Sequence, residues 1–114
     1  MADRSDIPPP VISLARESGV GKSYDNHVVA MVNDHVVRIS TMTEAYSWHV
    51  HPNSDETFLV LEGRLRIEFD NGSVDLAPGD MTTVPSGVRH RTMPLGPRSV
   101  NITFEAAEAQ TVMK

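Results

Sequence analysis

Every run of apolar or β-branched residues in this chain is cut short by a turn signal, and that punctuation constrains the fold more than any other feature. His27–Asn33 and Val36–Met42 flank Asp34-His35, Ser47–His51 stops at Pro52, and Thr57–Leu61 stops at Glu62-Gly63. Arg64–Phe69 ends at Asp70-Asn71-Gly72, Val74–Leu76 at Pro78-Gly79-Asp80, and Met81–Val84 at Pro85-Ser86-Gly87; Val88–Met93 and Val100–Phe104 follow. Leu65, Ile67 and Phe69 alternate with Arg64, Arg66 and Glu68, which is the period of a strand with one face covered. Pro52 cannot donate to a ladder, so it closes its strand, and Asn71-Gly72 suits a tight primed hairpin turn. Short strands at regular spacing predict an all-β sandwich or barrel. We assign the barrel to residues 27–105, an arm to 1–26 and a tail to 106–114. The arm, with its run Pro8-Pro9-Pro10, is expected to be partly disordered or to pack on a partner subunit. Within it, Val11–Arg16 suits a helical turn or an edge strand, and Gly19–Asn26 reads as loop.

The bulk properties narrow the function classes. A length of 114 residues suits one domain. The longest uninterrupted apolar run, Val28–Val32, is five residues, too short for a membrane span. The polar start Met1-Ala2-Asp3-Arg4-Ser5-Asp6 lacks the basic and apolar regions of a secretory signal, so a cytoplasmic location is expected. The absence of cysteine excludes disulfides, thiolate ligands and a cysteine nucleophile. A net charge of −5 argues against nucleic acid as a partner. Eight of the ten basic residues are Arg, whose planar fork suits a small anionic ligand. Gly19-Val20-Gly21-Lys22-Ser23 imitates the end of a phosphate loop, but Arg16 stands where that motif needs glycine, so nucleotide binding is rejected.

The chemistry concentrates in His49-Val50-His51-Pro52-Asn53-Ser54-Asp55-Glu56 and in His90. Residues i and i+2 of a strand point to the same side, so His49 and His51 face one way together. Glu56 opens the next strand and can return opposite them, and His90 follows the Pro85-Ser86-Gly87 turn. Three imidazoles and a carboxylate suit a divalent first-row transition metal, Fe, Mn, Ni, Co or Zn, with two octahedral positions left for a ligand's oxygen pair. A hydrogen-bonded polar cluster inside a barrel is the alternative that spacing leaves open, although burying unpaired ionisable groups is costly. Parity places Phe58 and Val60 beside Glu56 and Thr92 beside His90 as pocket wall, with Arg89 and Arg91 outward. Arg38, Met42, Tyr46, Trp48, Met81, Thr83 and Phe104 are further candidates for its border, and His27 and His35 read as solvated. The apolar run Phe58-Leu59-Val60-Leu61 needs cover on both faces, from the N-terminal segment or a second subunit, which leads us to expect a homodimer.

The stretch His49-x-His51-x4-Glu56-x6-Gly63 resembles the first cupin motif, and Gly79-x5-Pro85-x-Gly87-x2-His90 resembles the second. Fifteen residues, Arg64 to Pro78, separate them, as in small single-domain bacterial cupins of the cupin 2 type. The local text Asp55-Glu56-Thr57-Phe58-Leu59-Val60-Leu61-Glu62-Gly63 is similar to cupins labelled mannose-6-phosphate isomerase-like. The resemblance implies a double-stranded β-helix, or jelly-roll barrel, with a metal held by His49, His51, Glu56 and His90, and it implies that dimers are usual. Two positions depart from the pattern: Thr43 stands where the first motif begins with glycine, and Pro94 where the second ends with asparagine.

These features lead us to expect a metal-dependent enzyme acting on a small oxygenated molecule, of isomerase, lyase or dioxygenase type. Glu56 serves as ligand and as the candidate catalytic carboxylate. No second base is evident near the motifs, which counts against the isomerase version, since proton transfer normally needs one. The alternative functions are a ligand-binding or sensing module without turnover, and a structural metal site.

Overall fold

The computed structural model describes residues 7–19 and 23–114. Among these, the chain forms one helical turn, α1 (Leu14–Glu17), and eight strands: β1 (Tyr24–Val32), β2 (His35–Met42), β3 (Tyr46–Val50), β4 (Glu56–Phe69), β5 (Gly72–Leu76), β6 (Met81–Val84), β7 (His90–Ala106) and β8 (Val112–Met113). All pairings are antiparallel. The order runs β1-β2-β7-β3-β8, and β4 pairs with β5, β6 and β7. This is the expected all-β double-stranded β-helix.

Two breaks expected from sequence are bends inside continuous strands. Thr57–Leu61 and Arg64–Phe69 are both parts of β4, and Val88–Met93 and Val100–Phe104 both fall largely within β7. Bulges between Val60 and Arg64 absorb the turn signal Glu62-Gly63. Gly63 has φ +71°, and a Cβ there would strike the Arg98 carbonyl oxygen and lie 3.2 Å from Ser99 Cα. Only glycine lets β4 bend so close to β7. As a result one half of β4 pairs residues 101–105 of β7 while the other pairs residues 90–95. Other turns fall close to where they were expected. The β1–β2 reversal uses Asn33-Asp34, with Asn33 in the left-handed region at φ 54°. The β4–β5 reversal uses Asp70-Asn71, with Phe69 opposite Gly72.

Two apolar clusters hold the sheets. Met42, Phe58, Val60, Leu65, Ile67, Leu76 and Val84 fill the barrel interior. Side chains as fully buried as Val60, Leu65 and Ile67 each contribute roughly 1.5–3 kcal/mol. Ile39, Val100 and Ile102 form a second cluster, covered by Leu14, Val29, Val37 and Leu59. Leu14 comes from α1, whose N-cap Ser13 accepts from the Arg16 amide. The N-terminal segment thus supplies part of the cover that Leu59 needs. Strand β1 begins at Tyr24, inside the segment read as loop, and residues 20–22 of the rejected phosphate-loop imitation lie outside the described residues, as do residues 1–6 of the arm. The segment 106–114 carries β8, which pairs with β3. Among the described residues no helix is long and apolar enough to cross a membrane.

Candidate metal centre

Strand parity and one cross-strand pairing bring the four candidate ligands read from the sequence together. His49 and His51 project from the end of β3, Glu56 from the start of β4 and His90 from the start of β7, where it pairs with His49. All four are buried, His90 completely. One potential ligand atom from each lies within 4.8 Å of those of the other three. The rings of His49 and His90 are 4.3 Å apart, those of His49 and His51 4.9 Å.

The imidazoles are oriented by backbone carbonyls. Nδ1 of His49 lies 2.7 Å from the Ser47 oxygen, Nδ1 of His90 2.8 Å from the Val88 oxygen, and Nδ1 of His51 2.9 Å from the Gln110 oxygen. Each Nδ1–H donates outward, so each Nε2 lone pair is left for the interior. The carbonyl serving His51 comes from the C-terminal segment, which is itself tied down. Asn53 Nδ2 donates to the Glu108 oxygen, the Gln110 amide donates to Asn53 Oδ1, and β8 pairs His49 with Met113. Sequence reading gave this segment no part in the site, because its contacts lie more than fifty residues away along the chain.

The interior atoms are short of partners. Glu56 Oε1 is 3.1 Å from His51 Nε2 and 3.4 Å from His90 Nε2. All three atoms are buried, yet none makes a well-directed hydrogen bond. They converge on a shared point more than they pair with one another. Ion–ligand bonds of roughly 2.1 Å at right angles put neighbouring ligand atoms about 3.0 Å apart, close to these separations. The donor set therefore fits a divalent transition metal, and burial without one is costly. In the metal-free protein the Glu56 contact, opposed by burial, holds His51 up at about 9. Burial pushes Glu56 up, but the close contacts and charges of His51 and His90 outweigh it and bring the carboxyl down to about 2. Burial lowers His49.

The cluster opens on a cavity of about 300 Å³. Phe58, Thr92, Arg38, Met42 and Tyr46 line it; Val60 lies in the interior cluster behind, and Thr83 and Phe104 border a separate surface depression. Trp48 sits outside the cavity lining beneath Arg89 and Arg91, whose guanidinium carbons are 4.1 and 5.3 Å from the ring centre. Arg89 also pairs with Asp70 and Arg91 with Glu68, in keeping with outward parity. His27 pairs with Glu17 and Asp25, and His35 with Asp34, on the surface.

Sequence reading also missed the wall supplied by the second half of β7. Asn101, Thr103 and Glu105 line the cavity, while Val100 and Ile102 turn to the outer cluster. Glu105 lies in register with Glu56 and is within 3.4 Å of Arg38 Nε. Burial, reinforced by the Glu56 charge, pushes its carboxyl up. The alternation Ser99, Asn101, Thr103, Glu105 against Val100, Ile102, Phe104 was visible, but by itself it does not say which face turns in.

Comparison with known proteins agrees with this architecture. A cupin domain family model matches residues 35–101. The uncharacterized protein YdbB of Bacillus subtilis (strain 168) is 42% identical over 101 residues, 88% of each chain. A cupin-2 domain containing protein from Shewanella frigidimarina superposes with a TM-score of 0.77 at 29% identity, covering 84% of this chain and 94% of that one. A conserved Klebsiella pneumoniae protein with a double-stranded β-helix domain superposes at 0.79 with 23% identity, covering 93% and 97%. On the strength of the family match, the YdbB identity and the shared fold, this chain belongs to the cupin domain family.

Proposed function

We propose that the protein is a metal-dependent enzyme acting on a small oxygenated molecule, with the ion held by His49, His51, Glu56 and His90. The observation that carries this reading is that the four candidate ligands border a polar cavity containing a second carboxylate, the half-buried Glu105, whose Oε2 is itself buried. A closed tetrahedral site is the norm for structural zinc, and this cluster is open on one side. When bound, the metal supplies Lewis acidity toward a pair of substrate oxygens.

The chain's own groups do the rest. The three Nδ1–carbonyl contacts hold the imidazoles in one orientation. Phe58 and Met42 exclude water from one side of the cavity. Glu105 Oε2 is buried and without a hydrogen bond, placed to hold or move a proton, while Arg38 steadies Oε1. This is the second acid–base group that isomerase or lyase chemistry needs. Its presence favours those types over dioxygen chemistry, which asks less of side chains.

Elemental analysis of protein purified from its native host tests the metal directly, and a thermal-shift screen of sugars, keto acids and aromatic diols follows. His51→Ala is expected to abolish metal retention and turnover while the strand content persists. Native protein without a first-row metal would overturn the reading. A ligand-dependent rise in melting temperature with no product would favour a binding module, and a collapse of melting temperature on chelation a structural site.

We also propose a homodimer. Val28, Met31 and Val32 are exposed on β1, which lies at one end of the strand order, and a second copy is a suitable cover for them. Light scattering at micromolar concentration should give twice the 12.5 kDa chain mass, and a monomeric mass would refute this.

A further inference from the structure

The cavity wall facing the ligand cluster is unusually polar. Apart from Met42, Phe58 and Ala109, every residue lining the cavity carries a polar side-chain group. Ligand pockets are ordinarily lined mostly by apolar and aromatic side chains with only a few polar groups. The polar residues lie in rows across neighbouring strands. Asn26 of β1, Ser40 of β2 and Asn101 of β7 share one row; Arg38 and Thr103 share the next; Glu105 and Glu56 share the third. The rows thus lead from the cavity's far side to a metal ligand.

On β1 and β2 these groups satisfy one another. Asn26 Nδ2 donates to Ser40 Oγ at 2.7 Å, and Arg38 donates to Asn26 Oδ1 at 3.2 Å. On β7 they do not. Asn101 Oδ1, Thr103 Oγ1 and Glu105 Oε2 are buried without a hydrogen-bond partner among the described residues, and the Asn101 and Thr103 side chains belong to residues only 1% and 2% exposed. Ser99 Oγ, next in the same alternation, is also unpaired but lies outside the cavity lining; buried polar atoms left unpaired cost stability, and the three that face the cavity are explained by a ligand that pairs them. Successive inward residues of a strand are spaced by roughly 6.6–6.8 Å, so the row follows an extended chain of oxygens and not a single group.

We propose that Asn101, Thr103 and Glu105 form a subsite for the hydroxyl-bearing tail of a small polyhydroxy acid whose head oxygens reach the metal. This rests on the metal-dependent reading above and adds the substrate class to it. A divalent ion with three neutral imidazoles and one carboxylate carries one net positive charge, which a 2-hydroxy carboxylate head neutralises. The tail's hydroxyls donate to the orphaned oxygens. A cavity of about 300 Å³ is at the small end of ligand pockets, suited to a sugar-sized acid.

The test is calorimetric titration of Ni(II)-loaded full-length protein with three acids that share one chelating head. Glycolate has no tail, D-gluconate has a hydroxylated tail and 2-hydroxyhexanoate has an alkyl tail. We expect D-gluconate to bind about tenfold or more tighter than glycolate, since each net hydrogen bond is worth roughly 2- to 10-fold in affinity. We expect the alkyl tail to give no such gain. Thr103→Val, which keeps shape and removes the hydroxyl, should narrow the gluconate-to-glycolate ratio with metal content unchanged. The subsite is overturned if 2-hydroxyhexanoate matches or exceeds D-gluconate in wild-type protein, or if the ratio survives in the folded variant. Failure of the underlying reading looks different: glycolate would then bind equally with and without metal.

Discussion

Replacing Gly63 by alanine should unfold this barrel far more readily than the same change at another glycine of positive φ. At φ +71° a Cβ costs about 1–2 kcal/mol through the left-handed backbone alone. The added methyl also meets the Arg98 carbonyl oxygen and Ser99 Cα, both backbone, so β7 has to move at the bend that sets its pairing with β4. Displacing packed backbone costs roughly 1–3 kcal/mol, which brings the whole to about 2–5 kcal/mol. For a domain of this size about 4 °C is lost per kcal/mol, so the melting temperature should fall by about 8–20 °C. Gly87 is the control: its φ is +81°, but an added Cβ meets nothing within 4 Å. Gly87→Ala should therefore lose only about 4–8 °C. The assay is thermal unfolding of both variants after chelation, so that metal affinity does not enter. Melting temperatures for the two variants within about 2 °C of each other would refute the close-approach argument.

Other outcomes follow from the site. Ending the chain after Glu108 removes the Gln110 carbonyl and β8, so His51 loses its orienting contact; metal affinity by competition with a chelator should fall about 10- to 100-fold, and an unchanged affinity would rule out the role given to this segment. Metal uptake should release a proton from His51, with affinity rising about tenfold per pH unit up to about 9; a flat profile between roughly pH 6.5 and 8.5 would contradict this. In the metal-free protein, the raised His51 pKa contributes stability fully below 6.5 and loses it as pH rises through about 9. The lowered Glu56 pKa contributes above 4.5 and loses it as pH falls through about 2, so the pair favours folding most between 4.5 and 6.5. Urea midpoints of chelated wild type and Glu56→Gln across that range check the sign.

Local patterns carried much of this protein. Turn residues at Pro52, Asn71-Gly72, Pro78-Gly79 and Pro85-Ser86-Gly87 mark strand ends because Pro and Gly act on φ and on donors at their own positions. The side-by-side placement of His49 and His51 follows from strand parity, whereas spacing left a polar cluster open as the alternative, and it was the resemblance to the two cupin motifs that joined Glu56 and His90 to them as a candidate ligand set. Tertiary structure decided three things. It turned Asn101, Thr103 and Glu105 inward and Val100 and Ile102 outward, a choice made by the packing of β2 and β4 on either side and of Leu14 above. It brought the Gln110 carbonyl to His51 across fifty-nine residues of chain. It also joined runs separated by turn signals into continuous β4 and β7, through a glycine that allows a close approach. Alternation along one strand reports that its two faces differ, and only the neighbouring strands determine which face lines the cavity.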